Sequence, residues 1–405
     1  MAKKTDIPKF GALSGVKVIN AALSIAAPFA AQLMAEWGAD VVWIESPFAI
    51  DVVRTSMTGD QDRRNQRSLM LNIPSPSGRE VFYKLIKDAD IFIEASKGGQ
   101  YAKWGLTDEV LWEHNPALVI VHLSGYGQDG DPDYVSRPSW DPIAQAFAGT
   151  MNFNGYPDRP PVPAGPFVGD FISGLLALGA MLAALHKAKQ SGQGESIDLA
   201  QYEALVRCQV RYPAEYLTSG QKVTSAQRPG NRSDKFAGFG VYECKDGKHI
   251  YIVFLGGAVF KAGLEFLGLQ YGTDEYPKGS IYSPVGSPGG LKLEEKLLAY
   301  MAAKTAEEAE NELNAAGVPV SVVMDYETAA NHPHYKARHV FHEWESIDGK
   351  TVTGVNVIPK FKNNPGQVWR GMPSMGMDNE DILSDLGLQI EEIQKLYEDK
   401  VIFKK

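Results

Sequence analysis

Chemistry is most readily built around Asp170. Gly169 precedes it, a proline-rich run over residues 160–166 leads into it, and an apolar stretch rich in Gly and Ala continues from it to about Lys189. The pattern predicts a long helix opening at Asp170, with the carboxylate at the N-cap. There the unpaired N–H groups and the helix dipole hold a carboxylate ionised and stabilise an oxyanion forming beside it. A purely structural cap fits the same residue, since Asp is among the commonest N-caps.

Other constellations carry less chemistry. Gly125, Gly127 and Gly130 satisfy G-x-G-x-x-G behind the fourth expected strand, but Asp131-Pro132 and more loop follow where a dinucleotide site opens a helix. His332, His334, His339 and His342 cluster, yet Ser346 stands where H-E-x-x-H from His342 requires its second histidine, and no metal site is expected. Cys208 and Cys244 are too few and too far apart for a disulfide framework or a zinc site, and no G-x-S-x-G nucleophile elbow is present.

These residues need a scaffold, and the first 124 positions supply its pattern. Strands are expected over 16–20, 41–44, 91–93 and 118–123, alternating with helices over 28–37, 78–87 and 107–114, the last capped by Thr107. This is the opening of a doubly wound α/β domain. Loop-rich chain over 128–169 is interrupted by a helix over 141–148. A short strand is expected over 196–199. A smaller α+β domain spans 225–325, with a hairpin around Lys245-Asp246-Gly247 and two helices over 294–316. The large domain then takes 1–224 and a return segment, 326–405, with a hairpin at Asp348-Gly349 and short helices over 379–386 and 390–399.

The chain has 405 residues, 44% of them hydrophobic and 22% charged, an ordinary globular balance that excludes a disordered or fibrous protein. Its net charge of −9 gives no electrostatic footprint for wrapping nucleic acid, although a local basic pocket for a small anion is compatible with it. Arg54, Arg63, Arg64 and Arg67 form such a local basic group. Residues 1–9 are polar, without the apolar core of a signal peptide, and the low cysteine count fits a cytoplasmic setting. The most apolar run, 171–185, is shorter than the roughly 18–20 residues of a membrane span and reads as a buried helix.

Gly11-Ala12-Leu13-Ser14-Gly15-Val16-Lys17-Val18, the run from Ala35-Glu36-Trp37-Gly38-Ala39-Asp40 to Glu45, and Arg67-Ser68-Leu69-Met70-Leu71-Asn72 together resemble the opening of the class III (formyl-CoA transferase type) CoA-transferase family. The likeness continues in order through Leu123-Ser124-Gly125-Tyr126-Gly127, Ala144-Gln145-Ala146, Gly169-Asp170 and Gly192-Gln193-Gly194-Glu195-Ser196-Ile197-Asp198. Within the family, Phe92-Ile93-Glu94-Ala95-Ser96-Lys97-Gly98 and Pro359-Lys360-Phe361-Lys362-Asn363-Asn364-Pro365-Gly366 resemble the carnitine CoA-transferases most.

The resemblance implies a Rossmann-like large domain built from both chain ends, two copies interlocked as a homodimer, and transfer of CoA from an acyl-CoA to a free carboxylic acid. The CoA thioester is a substrate, and no prosthetic group is implied. Asp170 would attack the thioester, form a mixed anhydride and then hold CoA as an aspartyl thioester. Asp141 resembles a second carboxylate that orients substrate or tunes Asp170; capping its own helix is the alternative. Gly256 and Gly257 fall where a glycine loop closes over intermediates. Lys97 matches a CoA-contacting lysine, Lys103 is placed to reach phosphate, and Arg67 joins the basic group. Trp104 replaces an arginine and offers a stacking surface for adenine. The acids implied are carnitine with crotonobetainyl-CoA or γ-butyrobetainyl-CoA, the alternative being another 2-hydroxy or aryl carboxylate. Two further alternatives are an α-methylacyl-CoA racemase, disfavoured because Trp140 stands where its histidine would be, and a non-catalytic CoA-binding module.

Overall fold

The computed structural model describes residues 7–56, 58–209, 211–219 and 228–404; positions 1–6 of the polar N-terminal stretch lie outside them. The chain divides into two compact units, one of Met1–Thr150, Ala164–Pro213 and Ala337–Lys405, the other of Met151–Pro163 and Ala214–Lys336. Residues 151–163, assigned above to the large domain, therefore group with the smaller unit.

In the first unit β1 (Lys17–Asn20), β2 (Asp40–Glu45), β3 (Arg67–Met70), β4 (Ile91–Glu94), β5 (Val119–Ser124) and β6 (Glu195–Ala200) form a parallel sheet in the order β3-β2-β1-β4-β5-β6. Runs such as Val119-Ile120-Val121 are buried on both faces, as parallel strands must be when crossover helices cover each side. Successive residues separate the two cores: Val18, Ile93 and Val121 face one with Met34 and Met181, while Ile19, Phe92 and Ile120 face the other with Phe82 and Leu85. The helices begin and end on local signals. Ser75 accepts from the Gly78 N–H at the start of Pro76–Lys87, and Thr107 from the Val110 N–H at the start of Asp108–His114. Gly38, at φ +99°, ends Ala26–Glu36 where an added Cβ would lie 1.9 Å from the Phe10 carbonyl oxygen.

β3 was not expected. Its four residues are all buried, but Arg67 and Ser68 break the apolar pattern that would have revealed it. As the outermost strand it needs cover, and the C-terminal segment supplies it. The Ser68 N–H donates to Asp378 Oδ2 at 2.8 Å, Met70 N–H to Asn379 Oδ1 at 3.0 Å and Asn72 N–H to the Val401 carbonyl at 2.8 Å. Arg370 anchors this return, donating from Nη1 and Nη2 to the two Asp378 oxygens at 3.0 and 2.6 Å and from Nε to the Gln66 carbonyl at 3.0 Å. The hairpin β10 (Phe341–Glu345) and β11 (Thr351–Val355) belongs to the same return.

The apolar run expected to fall short of a membrane span lies in a 24-residue helix, Val168–Ser191, long and apolar enough by length and composition to cross one. One face of it packs into the core. Gly174, Ala177, Leu178, Met181, Leu185 and Ala188 recur at helical spacing along its buried face. The approach to Ala26–Glu36 is close: a Cβ at Gly174 would stand 2.6 Å from the Ala26 carbonyl oxygen, and the rings of Phe171 and Phe29 meet edge-on at 4.9 Å.

The second unit contains the antiparallel sheet β7 (Phe239–Glu243), β8 (His249–Val253) and β9 (Val320–Val322), with helices Gly257–Phe266, Pro288–Ala303 and Ala306–Ala315 over a core that includes Tyr242, Ile250, Phe254, Phe260 and Leu297. The β7–β8 hairpin turns at Asp246-Gly247 as expected.

Removing one partner of a buried ion pair strands the other charge. Asp378→Ala is expected to destabilise the protein by about 3–5 kcal/mol in urea unfolding; a loss under about 1 kcal/mol would show that the return segment does not depend on the Arg370 pair.

Candidate active site

Strand order reverses between β1 and β4, and a doubly wound sheet opens a crevice at the carboxyl ends of its strands at that point. The sequence delivers the walls there directly. Leu23, Ser24 and Ala26 follow β1, Ala95 follows β4, Leu123, Ser124 and Gly125 finish β5, and Gln201 follows β6; with Ser139, Trp140 and Asp170 they line a cavity of about 230 Å³. A second, more apolar cavity of about 340 Å³ shares Leu23 and Ala95 with it and extends to Ile44, Leu71, Tyr101 and Trp104.

Asp170 is not the N-cap. The helix runs Val168–Ser191 with Phe167 in the cap position, so Asp170 is the third helical residue. Phe167 takes the left-handed conformation at φ +45°, a strained state for a non-glycine residue that sets the cap three residues before the expected point. The orphan N–H of Asp170 is satisfied from outside the helix, donating to Asp141 Oδ2 at 3.0 Å. Nor does Asp141 cap its own helix, Asp141–Phe147, which has Trp140 at its cap position and no side-chain cap bond. Asp141 instead caps the helix that carries Asp170.

Two glutamines complete the arrangement. Gln145 Nε2 donates to Asp141 Oδ1 at 2.5 Å and to the Ala164 carbonyl at 2.9 Å, while its Oε1 accepts from the Ala164 N–H at 2.8 Å. The fully buried Gln145 thus ties Asp141 to the proline-rich loop. Gln201, first residue of the helix Gln201–Cys208, donates from Nε2 to Asp170 Oδ1. Gly169 makes room for the carboxylate pair, since a Cβ there would stand 2.9 Å from Asp141 Oδ2. Burial pushes the Asp170 carboxyl up to about 6; the bond from Gln201 works against this and the neighbouring Asp141 charge adds to it. At neutral pH the group is ionised but more basic than an ordinary carboxylate.

The remaining residues singled out in the sequence are distributed unevenly. Lys97, in the turn after β4, and Lys103, in the short helix Gln100–Lys103, are exposed, and neither ammonium meets a carboxylate among the described residues. Trp104 packs edge-on against Tyr101 with ring centroids 5.0 Å apart and lines the apolar cavity. Glu94 fixes the turn that holds Ala95 and Lys97, accepting from the Ser96 N–H at 2.5 Å and bonding His122 Nδ1 at 2.7 Å. Burial opposes charging of His122, but its bonds to Asp108 and Glu94 hold it protonated, with its pKa raised to about 10.

The arginine group is not free for a ligand. Arg54 pairs with Glu45, Arg63 with Asp51 and Arg64 with Glu36, all largely buried. Arg67, at the amino end of β3, pairs with Asp40 at 2.8 Å and Asp385 at 3.1 Å, away from the carboxyl-end cavities. Gly256 and Gly257 lie in the second unit, where Gly256, at φ +102°, precedes the helix Gly257–Phe266. The loop from Gly125 to Gly130 is held by the Gly127 N–H to Ser124 Oγ at 2.8 Å and leads only to a four-residue helix, Pro132–Val135. Among the described residues no group of three or more His, Cys, Asp or Glu is placed to hold a metal ion.

Gln201 went unnoticed in the sequence because an amide has no motif of its own and stands 31 positions from its partner. The available signal was its place immediately after the strand β6, at the carboxyl edge where doubly wound sheets build their sites.

The family model described as CoA-transferase family III matches residues 13–379. Among solved structures, a CaiB/BaiF family protein from Brucella suis is similar with a TM-score of 0.77 and 25% identity, over 93% of this chain and 100% of the other. Rv3272 from M. tuberculosis shares the fold with a TM-score of 0.77 at 22% identity, over 92% of this chain and 99% of the other.

A carboxyl held near 6 rather than 3.8 disfavours the folded state whenever it is ionised. Asp170→Asn keeps an acceptor for Gln201 and removes a charge beside Asp141, so it is expected to raise stability by on the order of 1–3 kcal/mol above pH 6. The gain should close as the pH falls towards 3.8, the ordinary value of an aspartate carboxyl. Urea unfolding at two pH values checks this; a destabilised variant at neutral pH would contradict it.

Proposed function

The chain belongs to CoA-transferase family III and is a CoA-transferase, and from that premise we propose that Asp170 carries CoA between two acids as a covalent aspartyl thioester. The observation that carries this reading is a buried carboxylate, ionised at neutral pH, on the wall of a crevice-end cavity with no histidine among its lining residues. The cavity offers no imidazole for the acid–base pair of a racemase, whereas nucleophilic attack by a carboxylate requires no proton transfer.

In the proposed cycle Asp170 attacks the thioester carbonyl and CoA leaves as its thiolate, giving a mixed anhydride. The thiolate then attacks the aspartyl carbon and releases the first acid, leaving CoA on Asp170. A second acid repeats these steps in reverse order. Burial of Asp170 and Asp141 supports the exclusion of water that an anhydride demands. Lys97 and Lys103 would supply positive charge to the CoA phosphates, and Trp104 an aromatic wall for adenine.

For the acid we propose carnitine, exchanged with crotonobetainyl-CoA or γ-butyrobetainyl-CoA. Support comes from the segments resembling carnitine enzymes and from Trp140, the one aromatic ring among the lining residues of the Asp170 cavity, which could face a trimethylammonium group. The working form is proposed to be a cytoplasmic homodimer. The large apolar side chains Phe147, Phe167, Leu175 and Leu176, each at least 40% exposed, support burial against a second copy.

Chromatography of CoA esters after mixing the protein with either betainyl-CoA and a panel of acids tests the substrate: carnitinyl-CoA should dominate, and preference for another acid would replace carnitine while keeping the class. Intact mass spectrometry after acyl-CoA alone should show a CoA adduct that Asp170→Asn lacks. Because the nucleophile must be ionised, kcat/KM should rise with pH through about 6. An Asp170→Asn variant with wild-type transfer would overturn the covalent reading.

A further inference from the structure

Asp170 changes character within the proposed cycle. A carboxylate at rest, it becomes an acyl carbonyl in the anhydride and again in the thioester, and each time a nucleophile must add to its own Cγ. That addition places negative charge on the aspartyl oxygen, a different atom from the carbonyl oxygen of the substrate. Gln201 Nε2 already donates to Asp170 Oδ1, and Oδ2 has no hydrogen-bond partner among the described residues. Oδ2 is therefore the oxygen free to attack, and Oδ1 remains as the carbonyl oxygen. Gln201 is 5% exposed, lines the same cavity and begins a helix directly after β6, so its amide is held in place before any substrate binds.

Resting on the reading of Asp170 as nucleophile, we propose that the Gln201 amide is the oxyanion donor for every addition to the aspartyl carbon, which makes Gln201 a catalytic residue. When the CoA thiolate adds, a C–S bond forms to Cγ and the carbonyl π pair moves onto Oδ1, where the Gln201 N–H receives it. The pair then returns, the bond from Cγ to the bridging anhydride oxygen breaks, and the first acid departs as a carboxylate with that oxygen. The incoming acid adds its carboxylate oxygen to the same carbon, passes through the same oxyanion and expels the thiolate. No proton moves in either step. A donor placed before reaction at the atom where charge develops is the arrangement that contributes most in acyl transfer.

Two variants test this, with the rate of the protein-bound CoA adduct read by rapid quench and mass spectrometry. Gln201→Leu removes the donor and is expected to slow adduct formation by about 10²–10³-fold, with KM for the acyl-CoA little changed. Gln201→Glu keeps the shape; it donates only when protonated while Asp170 must stay ionised, so its activity should follow a bell and fall at the higher pH where the wild type has levelled off. A purely structural role would not add that descending limb. If Gln201→Leu fails to fold, the near-isosteric Gln201→Glu decides alone. Wild-type adduct with an unimpaired Gln201→Leu, or a Gln201→Glu profile parallel to the wild type, would overturn the donor role and leave the proposed function standing. Absence of any adduct on the wild-type protein would overturn both.

Discussion

The bond from the Asp170 N–H to Asp141 Oδ2, at 3.0 Å, is the contact on which the site depends. A carboxylate that is to form an anhydride must be kept from water, but a buried carboxylate without partners simply takes up a proton. Here the helix that carries Asp170 is capped by a side chain from another helix, and its carboxylate receives an amide from a third. Two acids are thereby held close together, with a glycine at position 169 because even a methyl group would meet the Asp141 carboxylate at 2.9 Å. Gln145 extends the same bonding to the backbone at Ala164, so the loop entering the helix is fixed by the group that caps it.

The parallel sheet makes this assembly possible because its strands end together. β1, β4, β5 and β6 each contribute lining residues within about a turn of their carboxyl ends. The amino ends and the β3 edge serve stability instead. There Arg67 and Arg370 are neutralised by Asp40, Asp385 and Asp378; Arg54, Arg63 and Arg64 are paired as well, with Glu45 at the carboxyl end of β2, Asp51 beyond it and Glu36 at the end of the helix Ala26–Glu36. Buried charges of this kind are paired because an unpaired one would cost several kcal/mol. Lys97 and Lys103, next in sequence to lining residues of the apolar cavity, are exposed and flexible point charges suited to phosphate.

How much of this was legible follows from the physics of each signal. Apolar alternation and capping residues are local, so β1, β2, β4 and β5 and the helix capped by Thr107 are readable to within a residue or two. β3 was hidden because a short strand that begins with an ion-paired arginine looks polar. The start of the long helix was misplaced because Phe167 adopts a left-handed conformation that no residue preference announces. The four arginines read as a ligand cradle because sequence shows charge but not its pairing. Asp170 and Asp141 were visible as acids, whereas the contact between them and the two glutamines that hold them require the fold.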